Sequence, residues 1–156
     1  MLLLDIQPYI GALPLRLGMS RQEVHALLGS PWRSMPGRNQ TGSSDYWLQA
    51  EINVGLTRDG LVNHIGLSPG SYVLSVQGEV LWSSTAHPDP NPALLRLDPR
   101  PVTTLGFLVF TALGVTTTGF HDDDPSQRSL TVFPLGAWDK YLPDATTPDL
   151  RRYDPR

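Results

Sequence analysis

The densest set of potential ligands in the chain is His121-Asp122-Asp123-Asp124, which together with His87 and Asp89 carries the donor types of a cation site. The spacing argues against it. Consecutive residues on one loop do not converge on an ion without a rigid frame, and the calcium-loop pattern of alternating ligands with a distal glutamate is absent. The run reads as a solvated hairpin loop in which Asp122, Asp123 and Asp124 can steer a basic protein partner. Hydrolysis would require Ser20 or Ser83 to meet His64 or His87 from distant segments, and no Gly-x-Ser-x-Gly elbow supports it. Glu51 and Glu79 offer paired carboxylates whose relative position the sequence leaves open, and glycine-rich phosphate loops are missing. The expectation is a non-enzyme, with no catalytic, metal-binding or cofactor-binding residues.

The elements that would position any binding surface are clearer. Tyr46, Leu48, Ala50, Ile52, Val54 and Leu56 alternate with Trp47, Gln49, Glu51, Asn53 and Gly55, which predicts one long strand with an apolar and a polar face. Asp59-Gly60 predicts a tight turn into a second strand, Leu61 to Leu67. A two-residue turn pairs Arg58 with Leu61, Val54 with Ile65 and Ile52 with Leu67, so the apolar faces coincide. Gly55 then faces His64 and Asn53 faces Gly66 on the other side. On this outer face Trp47, Gln49, Glu51, Asn53 and His64 form a candidate partner-binding surface, with Trp47 as its aromatic anchor. Cover by the carboxyl-terminal segment or by a second copy of the chain is the competing explanation of that face.

The natural cover for the apolar face is a short helix after Gly18-Met19. Ser20 and Glu23 form a capping box, and Met19 and Val24 stand at staple positions. Val24, Leu27 and Leu28 make one stripe, Gly29 closes the helix, and Pro31 forbids its continuation. Trp32 to Ser44 reads as a polar loop, with Trp32 and Trp82 as packing residues and His25 as an exposed helix residue. The start, Met1 to Pro8, reads as a strand or packed arm. Later strands are expected in Tyr72–Trp82, as a strand or a hairpin about Gln77-Gly78, and in Phe107–Phe110, Val115–Gly119 and Leu130–Phe133. A short helix is expected at Ala93–Leu97.

The 156 residues suffice for one domain with its own core, and 15 prolines with 14 glycines predict frequent reversals in place of long helices. A net charge of −3 disfavours nucleic acid. The lack of cysteine excludes disulfides and thiolate chemistry and makes a reducing compartment the simplest expectation. No basic leader or long apolar run appears, so no membrane association is expected and the location predicted is cytoplasmic.

The run Leu15-Arg16-Leu17-Gly18-Met19-Ser20-Arg21-Gln22-Glu23-Val24, with Leu27-Leu28-Gly29-Ser30-Pro31, resembles the opening element of small α+β modules. These include the beta-lactamase inhibitory protein, the small outer-membrane assembly lipoproteins and cytoplasmic bacterial proteins of the toxin-immunity type. The resemblance implies an antiparallel sheet with a short helical element packed on one face, and a protein-binding role. Without cysteine, the lipid anchor and the disulfides of such relatives are not expected. The resulting expectation is an α+β domain over residues 1–142, alternatively two degenerate half-repeats of about 1–70 and 71–142, followed by an irregular tail at 143–156. Its expected role is an immunity protein that occludes a cognate bacterial toxin. A small-molecule-binding protein or enzyme with a pocket between sheet and helix is the alternative, and self-association is a third.

Overall fold

The computed structural model describes residues 2–37, 42–48, 50–120 and 127–153, the side chain of residue 152 excepted. The fold is α+β: mostly antiparallel sheet, with 43% of residues in strands and two short helices. The amino-terminal strands β1 (Leu2–Gln7), β2 (Gly11–Leu13) and β3 (Leu15–Arg16) join β8 (Tyr72–Val76) and β9 (Glu79–Trp82) in one sheet, ordered β3-β2-β1-β8-β9. Its centre departs from the antiparallel expectation, because β1 and β8 run parallel, Leu2 beside Tyr72 and Ile6 beside Val76.

The second sheet has eight strands. From one edge to the other these are β10 (Val102–Thr104), β11 (Phe107–Phe110), β12 (Val115–Thr118), β13 (Ser129–Val132), β7 (Val62–Leu67), β6 (Ile52–Thr57), β5 (Gly42–Trp47) and β4 (Arg33–Pro36). All its pairings are antiparallel. Leu4, Ile6, Tyr72 and Leu74 of the first sheet and Val54, Ile65, Leu67, Leu130 and Val132 of the second share one hydrophobic cluster. Both sheets draw strands from either side of residue 70.

The long strand expected from Tyr46 to Leu56 is a hairpin instead. Strand β5 stops at Trp47 and the chain has reversed by Ile52; the Glu51 amide donates to Leu48 O and Glu51 takes a left-handed φ of 57°. The reversal resets parity. Trp47 and Ile52 would face opposite ways in one strand, yet across this hairpin they are direct partners and share a face. The turn is held from outside: Ser68 N donates to Glu51 O at 3.0 Å, and a Cβ on Gly70 would sit 2.4 Å from Ala50 O. The loop expected over Trp32 to Ser44 also supplies β4 and the start of β5.

The β6–β7 register agrees with the sequence at Val54–Ile65, Ile52–Leu67, Gly55–His64 and Asn53–Gly66. It is reached by another route. Thr57 N donates to Leu61 O, so the loop has one more residue than a two-residue turn, and a bulge between Gly55 and Leu56 restores the pairing beyond it.

Helix α1 (Arg21–Leu28) carries the expected capping box, with Glu23 N on Ser20 Oγ and Ser20 N on Glu23 Oε1, both at 3.2 Å, and Gly29 closes it at φ 82°. Its apolar stripe is narrower than expected: Val24 is buried and Leu28 packs on the core, while Leu27 is exposed. Ser20→Ala removes one half of the box and should cost about 1 kcal/mol. Thermal unfolding should register this as a midpoint lower by about 3 °C. The second helix, α2 (Asn91–Leu97), starts two residues before the expected segment and buries Leu94.

Candidate functional site

Trp47 lies on the inner face, beneath α1, and not on the free face expected for it. Its relative exposure is 7%, its Nε1 donates to Gly29 O at 3.2 Å, and the His25 ring meets it edge-on at 5.8 Å. It is a packing residue. Glu51 is exposed in the β5–β6 reversal. Asn53 and His64 are half-buried on the opposite face, where each lies across a glycine: a Cβ on Gly66 would be 2.4 Å from Asn53 Nδ2, and one on Gly55 would be 1.8 Å from His64 Cε1. Burial lowers the pKa of His64, whose Nδ1 lies 2.9 Å from Asn63 Oδ1. Gln49, Asp122, Asp123 and Asp124 lie outside the described residues. The expected surface therefore does not assemble as one patch, because Trp47 is separated from Asn53 and His64 by the sheet.

Other residues singled out for chemistry are used by the backbone. Ser20 caps α1, Ser83 Oγ accepts from Ala86 N, and Asp89 Oδ1 accepts from Asn91 N. Among the described residues no group of three His, Asp or Glu side chains is placed to hold a metal.

A charged cluster absent from the expectations ties α1 to the sheet. Asp45 on β5 is 1% exposed and receives Arg21 Nε at 2.9 Å and Nη2 at 2.8 Å, while His25 Nε2 lies 2.8 Å from Asp45 Oδ2. Arg21 Nη2 also donates to Ser34 Oγ on β4 at 3.0 Å. Burial pushes the Asp45 carboxyl up, but hydrogen bonds from Arg21, Ser34 and His25 and the Arg21 charge outweigh it, holding the carboxyl below its usual range. The cluster is a clamp: Arg21 and His25, one helical turn apart, engage one carboxylate and fix the helix across β5 and β4. The i, i+4 basic pair was a visible signal. Its acceptor was not, because Asp45 sits where the sequence suggests the border of a loop.

Where α1 ends, the clamp leaves an open recess of about 610 Å³ lined by Leu28, Ser30, Trp32, Trp47, Leu48, Ala50 and Ser71. Trp32, expected to pack, is 62% exposed, and Leu48 is 52% exposed. Leu27 on the same helix end is exposed as well, whereas exposed Met35, opposite Ser44 in the ladder, lies on the face away from α1. Trp32, Leu48 and Leu27 leave aromatic and aliphatic side chains uncovered at the corner between α1 and β4 among the described residues. The corner can bury aromatic and aliphatic area against another molecule.

No protein family, curated protein or solved structure matches this chain.

Proposed function

We propose that the chain is a non-catalytic protein-binding module of the toxin-immunity kind, and that the α1–β4 corner is its contact surface. The observation that carries this is Trp32: a large aromatic, mostly exposed, beside exposed Leu48 on a recess whose floor is held rigid by the Asp45 clamp. Exposed aromatics on preorganised surfaces are the usual anchors of protein interfaces, since they bury much area at little conformational cost. The Leu15–Pro31 element, which carries the resemblance to immunity proteins, supplies the helix that forms one wall of that recess. Inhibition by occlusion requires shape and not chemistry from this chain. No helix among the described residues is long and apolar enough to cross a membrane, and a bacterial cytoplasmic toxin is the partner proposed.

The product of the gene adjacent to this one should be tested as the toxin, with purified wild type and Trp32→Ala compared for its capture and for rescue of cells expressing it. The variant should lose at least tenfold in affinity, as truncating an interface anchor does, while its thermal midpoint stays unchanged. Equal capture and equal rescue by the variant would remove Trp32 from the interface and this proposal with it.

A further inference from the structure

The two edges of the large sheet are treated differently. At β10 the edge is closed, since Thr103 N donates to Thr146 O at 2.8 Å and Thr146 N returns a bond to Thr103 O at 2.9 Å. At β4 no further strand follows among the described residues. The Gly37 amide bonds Gly42 O, and Met35 and Arg33 stand opposite Ser44 and Tyr46 in the same ladder. Alternation along an antiparallel pair therefore turns the backbone groups of Ser34 and Pro36 outward, one N–H and two carbonyls, because proline has no N–H.

Two recesses flank this edge on the side that carries α1. One holds Trp32 and Leu48 on a lining that mixes these side chains with polar groups, Ser30 and Ser71 among them. The other, about 320 Å³, is lined by Arg21, Pro36, Ser43, Thr57 and Arg58 among others. Asp45 and Ser34 occupy Nε and Nη2 of Arg21, and Arg58 forms no ion pair among the described residues. Trp32 in one recess and Pro36 in the other stand four residues of extended chain apart, roughly 13 Å at the usual strand rise.

Resting on the protein-binding reading of this corner, we infer that β4 accepts an extended segment of the partner as an added strand. That segment carries an apolar side chain for the Trp32 recess and, four residues away on the same face, a carboxylate for Arg58. Charge complementarity sets the chemistry: Asp45 already neutralises Arg21, so the recess presents the guanidinium of Arg58 with two hydroxyls beside it. A second copy does not fit through the same edge: its own β4, Arg33-Ser34-Met35-Pro36, has no acidic residue to offer. Pro36 and Arg33 also blunt the edge against indiscriminate pairing, which favours an occupant held by side-chain recesses as well as by backbone bonds.

The test is selection of a displayed random heptapeptide library against the full chain, followed by amide exchange with the selected peptides bound. Enrichment of an apolar residue with Asp or Glu four positions away, and slowing of Ser34 amide exchange by about tenfold, are the expected results. Arg58→Glu as bait should weaken those peptides about fivefold, the scale of an exposed ion pair, and should select Lys or Arg at the same position. Peptides without the acidic residue, or ones that leave Ser34 exchange unchanged, overturn strand addition. If Trp32→Ala loses those same peptides, the docking surface itself stands. Peptides that bind Trp32→Ala as tightly as wild type overturn both proposals, and a library that yields no binder overturns the strand addition.

Discussion

Asp45→Asn is expected to lower unfolding free energy by about 2 kcal/mol at neutral pH, because it leaves Arg21 and His25 facing an amide in place of a carboxylate. The loss stays below that of a fully buried pair, since the Arg21 side chain is 43% exposed. In urea the midpoint should fall by about 1 M. The pH dependence follows from the depressed carboxyl. The folded chain holds Asp45 ionised to lower pH than the unfolded chain does, so this stabilisation is complete above the unfolded carboxyl range near pH 3.9 and is lost as pH falls through the folded value. Wild type and Asp45→Asn should therefore differ most at neutral pH and converge in acid. A gap that stays constant down to pH 2 would show that shape, not charge, is what Asp45 contributes.

Trp47→Ala should be the most damaging single change at this corner, about 3–4 kcal/mol, as expected for an indole removed from a buried site. That corresponds to a thermal midpoint lower by about 10 °C. Trp47→Phe keeps a ring under α1 and loses the bond to Gly29 O, so its cost should be near 1 kcal/mol. Trp32→Ala, by contrast, should stay within about 0.5 kcal/mol of wild type, because the side chain it removes is already in solvent. Calorimetry on the three variants separates the two tryptophans by role. A stable Trp47→Ala would return that residue to the surface.

That contrast also shows what could be read in advance. The capping box, the glycine closure of α1, the β6–β7 register and α2 are visible because each depends on residues close in sequence, whereas at Gln77-Gly78 the sequence leaves one strand and a hairpin both open. The exchange of Trp47 and Trp32 has one cause. Leu48-Gln49-Ala50-Glu51 contains no glycine, proline, asparagine or aspartate, so nothing local announces a reversal, while alternation continues undisturbed through it. The chain turns there because the Ser68–Gly70 segment fits against it, a contact that the sequence does not advertise. Once parity is reset, Asp45 turns inward with Trp47, which is also why the clamp was not foreseen. The glycines opposite Asn53 and His64 mark the register and are equally the gaps over which those two side chains lie.

The parallel pair β1–β8 joins strands about seventy residues apart in the chain. As the chain leaves the ribosome, β1 can pair with β2 on one side, yet its other side waits until Tyr72–Val76 has emerged. Meanwhile Leu4 and Ile6, destined for the core, lack half of their eventual neighbours. Delayed closure of this sort slows folding relative to locally paired sheets and leaves an oily edge open during synthesis. Strand β1 is thus made well ahead of the partner that secures its second side.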